Sequence, residues 1–151
     1  PGVRAGTATL IGSYGLSGKV IMPDDCPDLP AACWLSSVVV APNLAPRGQN
    51  LELLAAQAIG RPVIVTDAGA NREMVLEGET AWVVPPGDVK ALTAALREAN
   101  GCGTAQRLVI AERTHNFVAG QFPQSAWFDG MMQLYESLLY PARQTARAHV
   151  A

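Results

Sequence analysis

Two continuous apolar runs, Ser37–Pro42 and Pro62–Thr66, set the limits on what this chain can become. Short unbroken runs rich in branched residues read as strands buried on both faces, the pattern of a parallel sheet. Parallel neighbours need a crossover between them. The intervening residues supply one: Leu51–Ile59 reads as a helix that Asn50 can cap and Gly60 closes, with Leu51, Leu54 and Ala58 as its inner stripe. Beyond the second run, Asn71 can cap a short helix through Leu76, Glu77-Gly78-Glu79 turns the chain, and Thr80–Val84 forms a third strand. Asp88 then caps a helix with Val89, Leu92 and Leu96 on one face and Asn100-Gly101 as its exit.

The two ends carry weaker signals. Thr7–Ser13 reads equally as a helix end or a strand. Gly15 and Gly18 mark an exit, followed by a short strand, Lys19–Met22, that Pro23 ends. Asp24–Cys26 is a turn, with Asp24 and Asp25 as turn residues. Asp28-Leu29-Pro30 opens a helix through about Leu35. After Gly103 come two helices, Thr104–Ala119 and Ser125–Leu139, parted at Pro123. Trp127, Met131, Leu134 or Tyr135, and Leu138 make the apolar face of the last one. Trp34, Trp82 and Trp127 are expected in the core or an interface. Strands alternating with helices give an α/β fold, a doubly wound parallel sheet of about four visible strands with two helices at the C-terminus. Residues 1–140 form one partial domain, and the polar tail 141–151 is expected to fray.

Composition removes several functional classes. The 151 residues carry 11 basic and 13 acidic side chains with no basic run, so nucleic acid is not an expected partner. The apolar runs are too short to span a bilayer, so no transmembrane segment is expected. The opening residues lack the charged start and apolar centre of a signal peptide, which points to a cytoplasmic protein. Cys26, Cys33 and Cys102 are odd in number and form no CxxC pair, as suits reduced thiols. With His115 and His149 the only histidines, no metal cluster is visible.

The chemistry concentrates where the strands end. Gly48-Gln49-Asn50 lies between a strand and a helix start. Gly48 lets the backbone approach a ligand closely, and the N–H groups of Asn50 to Leu53 head a helix dipole, so a phosphate fits there. The plainer reading is a turn and a cap. Asp67 and Gly69 end the next strand at the same edge and can line a cleft, as can Pro23. Glu73 either contacts a ligand or sits in the first turn of its helix.

The order of these pieces carries a resemblance. Val20–Pro42, with its "DLPA" helix, is similar to the strand, turn, helix and strand of family 4 retaining glycosyltransferases. Gly60-Arg61-Pro62-Val63-Ile64-Val65-Thr66-Asp67-Ala68-Gly69 resembles their "GRPVIATDxGG" segment, and Glu73-Met74-Val75 their "E-[IMT]-V". Residues 78–88, GETAWVVPPGD, resemble "GETGWLVPPGD". The resemblance spans roughly Leu16 to Leu139. It implies a Rossmann-like domain from the C-terminal, donor-binding half of a GT-B architecture, without that domain's opening strand and its diphosphate-binding Arg and Lys. The cleft would then be incomplete in one copy. The family also carries two glutamates around a glycine-rich loop, one for the donor sugar and one for the ribose. Here their positions hold Arg47 and Ala55, and the loop reads Gly48-Gln49-Asn50. A hydrogen bond to a charged group is worth about 1.5–3 kcal/mol, so losing the ribose clamp weakens donor binding on the order of tenfold to a hundredfold. Arg47 beside a diphosphate acts in the opposite direction, unless it is simply a solvated loop residue. Glu52 is close by and reaches a ribose only if the ligand shifts.

The function implied is transfer of a sugar from a nucleotide diphosphate sugar to a glycan or lipid-linked acceptor, by a cytoplasmic protein peripheral to the membrane in its full-length form. The donor is a co-substrate; no cofactor or metal is implied. Donor binding is assigned to Arg47, Gly48, Gln49, Asn50, Leu51 and Ala55. The alternative is a degenerate, non-catalytic module acting in assembly, a homo-oligomer through an open sheet edge. A flavodoxin-like binder lacks the phosphate loop after its first strand.

Overall fold

A computed structural model describes residues 2–46 and 48–140. The elements run α1 (Gly2–Ser13), α2 (Leu29–Leu35), β1 (Val39–Ala41), α3 (Leu51–Ala58), β2 (Val63–Thr66), a 3-10 helix (Gly69–Met74), β3 (Ala81–Val84), α4 (Val89–Gly101), α5 (Thr104–Gln121) and α6 (Gln124–Leu139). The strands form one parallel sheet in the order β1-β2-β3, with Val39 beside Val63 and Val63 beside Ala81.

Successive strand residues face opposite sides, and both sides are covered. Ala41, Val63, Val65 and Ala81 meet Leu53 and Ala56 of α3 and Cys33 of α2. Ile64 and Val84 meet Ala95 and Ala99 of α4, with Val40 and Trp82 packed around them. α5 lies behind α3. The sheet is therefore doubly wound, and its loops at the carboxyl ends of β1, β2 and β3 share one edge.

Several local expectations are corrected. Three strands form among the described residues, not four: Lys19–Met22 is irregular because no strand lies beside it to complete its hydrogen bonds. Arg4 instead donates to the carbonyls of Met22 and Pro23 and pairs with Asp24. Thr7–Ser13 is the end of helix α1. On α3 the buried residues are Leu53, Ala56 and Gln57, while Leu51 and Ala58 are exposed. That helix is apolar nearly all round, so spacing alone cannot choose its inner face. α4 buries Ala95 and Ala99 and leaves Val89 and Leu96 exposed, because small side chains let it sit closer to the sheet. Asn71 is no cap. It sits buried inside the 3-10 helix and donates its Nδ2 to the Thr66 carbonyl at 3.1 Å.

α6 stands clear of the core. Trp127 is 68% and Leu138 69% exposed, and Leu134 and Tyr135 are exposed too. Trp34 is also outside the core, with the Arg61 guanidinium 5.1 Å from its ring centre. The tail 141–151 lies outside the described residues.

Candidate functional site

At the carboxyl end of β1 the chain opens into a cleft of ≈ 680 Å3. One wall is the strand itself, Val39 to Pro42. The other is the loop Gly48-Gln49-Asn50 and the first turn of α3, including Glu52. Side-chain hydrogen bonds fix both walls. The Thr66 hydroxyl donates to the Asn43 carbonyl at 2.7 Å, which ties the start of the loop to the end of β2. Gln57 donates its Nε2 to the Met74 carbonyl at 2.8 Å, which ties α3 to the 3-10 helix. The Met74 sulfur in turn accepts the Asn50 backbone N–H at 3.4 Å.

This changes which donors face a ligand. The N–H of Asn50 goes to Met74, and that of Leu53 goes to the Asn50 carbonyl at 3.1 Å. Among the described residues, the N–H groups of Leu51 and Glu52 are left without an acceptor. Two adjacent donors at the positive end of a helix suit an anionic oxygen. Asn50 occupies the N-cap position, yet its side chain makes no capping hydrogen bond.

The structure gathers only some of the expected residues. Gly48, Gln49 and Asn50 line the cleft. Leu51, its side chain exposed, and Ala55, half-buried on α3, both lie outside the cleft walls. Glu52 is the carboxylate that reaches the cleft. Arg47 lies outside the described residues. Asp67 and Gly69 follow β2 at the same edge without walling the cleft; Asp67 pairs with Arg72 at 3.2 Å, and Arg72 also holds Glu77 at 3.1 Å. Glu73 is exposed in the 3-10 helix, and Pro23 sits beside α1, its carbonyl taken by Arg4. His115 is structural: its Nδ1 donates to the Ala58 carbonyl at 2.9 Å, at the C-terminus of α3. Burial pushes the Cys33 thiol up, and nearby Cys26 adds to the effect, so Cys33 stays a protonated core residue. Sequence reasoning missed Asn43 and Thr66. The available signal was a polar residue at the carboxyl end of each buried strand run, Thr66 closing one and Asn43 following the other, where side chains meet the binding edge.

No described helix is long and apolar enough to cross a membrane. The family model for glycosyl transferases group 1 matches residues 4–100. The chain is 38% identical over 66 residues to a phosphatidyl-myo-inositol mannosyltransferase of Mycobacterium leprae, covering 44% of this chain and 18% of that protein. It is 39% identical over 93 residues to an MMP alpha-(1->4)-mannosyltransferase of Mycolicibacterium hassiacum, covering 60% of this chain and 22% of that one. Its fold is similar to that of a sucrose-phosphate synthase from Thermosynechococcus elongatus, with a TM-score of 0.81 at 27% identity, over 90% of this chain and 34% of that one. The chain spans about a third or less of the length of the relatives it matches. A match that begins in α1, runs through all three strands and ends in α4 leaves one assignment: this chain belongs to the glycosyl transferases group 1 family.

Proposed function

We propose that this chain is the donor-binding part of a glycosyltransferase that moves a hexose from a nucleotide diphosphate sugar to a glycan or lipid-linked acceptor. The observation that carries the reading is the cleft at the end of β1, lined by Gly48 and Glu52, with the unpaired N–H groups of Leu51 and Glu52 at the adjoining start of α3. Such a helix start holds the donor diphosphate and stabilises charge on the leaving group. Mannose is the favoured sugar, because the names of the Mycobacterium leprae and Mycolicibacterium hassiacum relatives are those of mannosyltransferases. The acceptor lies beyond what this chain provides, and a lipid-linked one places the work at a membrane surface.

Glu52 stands in the cleft where a carboxylate can accept a ribose hydroxyl, whereas Ala55 cannot. Donor affinity should therefore be measurable but weak. Calorimetric titration with UDP, GDP and ADP is expected to find binding to one of them. The amides of Gly48, Leu51 and Glu52 should shift in NMR spectra. An Ala55→Glu variant should bind about tenfold more tightly, the effect of one added charge-assisted hydrogen bond. No shift with any of the three nucleotides, in either protein, would overturn the reading.

A further inference from the structure

A second groove, of ≈ 590 Å3, runs along the outer edge of β3, at the opposite edge of the sheet from β1. α4 forms one wall with Ala91, Ala94 and Glu98, and α5 the other with Val109 and Ile110. The floor is a strand edge whose pairing stops part-way. Ala81 donates its N–H to the Leu76 carbonyl at 3.3 Å and accepts the Gly78 N–H at 3.0 Å, so residues 76–78 cover the start of the edge. The covering segment turns away at Gly78, whose φ is +77°. The Val84 carbonyl points the other way, toward β2, where it accepts the Asp67 N–H at 2.9 Å. Successive residues of a parallel strand alternate in this direction, so Val83 turns its N–H and carbonyl outward, as Ala81 does. Val83 lines the groove, and no described strand lies beyond it. An open strand edge is a template for another extended chain, and folded proteins ordinarily cover it.

The walls specify what fits there. The groove holds three carboxylates, Glu77, Glu79 and Glu98, against one guanidinium, Arg113. Arg72 holds Glu77 and Arg113 holds Glu79, each at 3.1 Å, which leaves Glu98 without an ion pair among the described residues. Beside Glu98 the α4 wall is built of alanines, whose small side chains leave room for a long cationic one. The α5 wall is apolar and carries Arg113, which repels a cation. The matching occupant is an extended segment that is basic on one face and apolar with small side chains on the other. Residues 141–151, which lie outside the described residues, read PARQTARAHVA, with two arginines and no carboxylate. In an extended chain Arg143, Arg147 and His149 share one face, and Ala146, Ala148 and Val150 share the other. We propose that the segment 141–151 adds to the sheet of its own chain beside β3. Its backbone pairs with Val83, its arginines face Glu98, and its small apolar residues face the α5 wall. Eleven extended residues span up to about 36 Å, against about 24 Å for the length of α6, so the segment can return past its own helix. Tethering gives it a high effective concentration at the groove, which lets so short a strand hold.

The test is amide hydrogen exchange at Val83 in the full chain, read by NMR at low salt. In the wild type this N–H is expected to exchange about tenfold or more slowly than an unprotected amide. Glu98→Lys, and separately Arg143→Glu with Arg147→Glu, should each speed that exchange about three- to tenfold. Combining all three substitutions should restore slow exchange, which damage to the fold cannot do. Exchange at Ile64, in the central strand, serves as the control and should stay the same in every variant. Fast exchange at Val83 in the wild type would overturn the proposal. So would slow exchange that ignores both sets of substitutions, or a combined variant that fails to recover. Slow exchange that is lost on dilution would assign the added strand to a second copy and overturn the pairing within one chain.

Discussion

Gly60 shows how one residue fixes the approach of two helices. It follows α3 with φ +77°, a conformation that side chains other than glycine's rarely adopt. Its N–H donates to the Gln57 carbonyl, and that of Arg61 donates to the Ala56 carbonyl, a Schellman ending. A Cβ at position 60 would sit 2.8 Å from the Ala111 Cβ on α5. Gly60→Ala therefore meets left-handed strain and a clash with packed backbone together. The expected cost is about 2–4 kcal/mol, seen as a lower urea midpoint at an unchanged slope. An unchanged midpoint would mean that α5 does not seat on α3 as described. Asn43 and Asn50 lie at the opposite extreme. Their identity is visible in the sequence, but that Asn43 Nδ2 and Asn50 Oδ1 are buried without a partner among the described residues is not, because it depends on which backbone groups the fold brings near them.

At the scale of elements, the helix starts divide into two kinds. Asp88 caps α4 through an Oδ1 that accepts from Ala91 N–H at 2.9 Å, and Asp28 caps α2 in the same way. Asn50 heads α3 without capping it. Asp88→Ala should cost about 1 kcal/mol and Asn50→Ala almost nothing in the absence of ligand, compared by chemical denaturation of the two variants. Equal losses would show that Asn50 does cap in solution. The strands, α2 and α4 were legible because apolar runs and cap residues are local signals. The inner faces of α3 and α4 were not. Ala95 and Ala99 make that of α4, Ala56 lies beside Leu53 and Gln57 on that of α3, and an alanine gives no sign of whether it is buried until a sheet lies against it. Lys19–Met22 carries strand composition but no partner to pair with, and pairing is not local. The candidate site was legible as a loop, Gly48-Gln49-Asn50, because motif order carried it. The ties that hold its walls were not, because Thr66 and Met74 reach Asn43 and Asn50 only through the folded sheet edge.

On the scale of the whole molecule, the packed body is smaller than the chain. The buried residues run from Cys33 to Thr114, and none belongs to α1 or α6 among the described residues. α6 carries Trp127, Phe128, Leu134, Tyr135, Leu138 and Leu139, all exposed, against only Asp129 and Glu136 as charges. Soluble monomers rarely leave so continuous an apolar surface open to water. Among the described residues, β1 also has an unpaired edge on the outer side of the sheet. Either feature would support association of the chain with itself, and they make separate demands. Ending the chain at Pro123 removes the α6 surface and leaves the sheet and its edge in place. Because no core residue is lost, the shortened chain should unfold within about 1 kcal/mol of the full one in urea. Sedimentation of the full chain should show mass rising with concentration, and the shortened chain should show less of it. If association persists undiminished, the β1 edge is responsible. A large loss of stability on shortening would instead show that α6 folds back onto the body in solution.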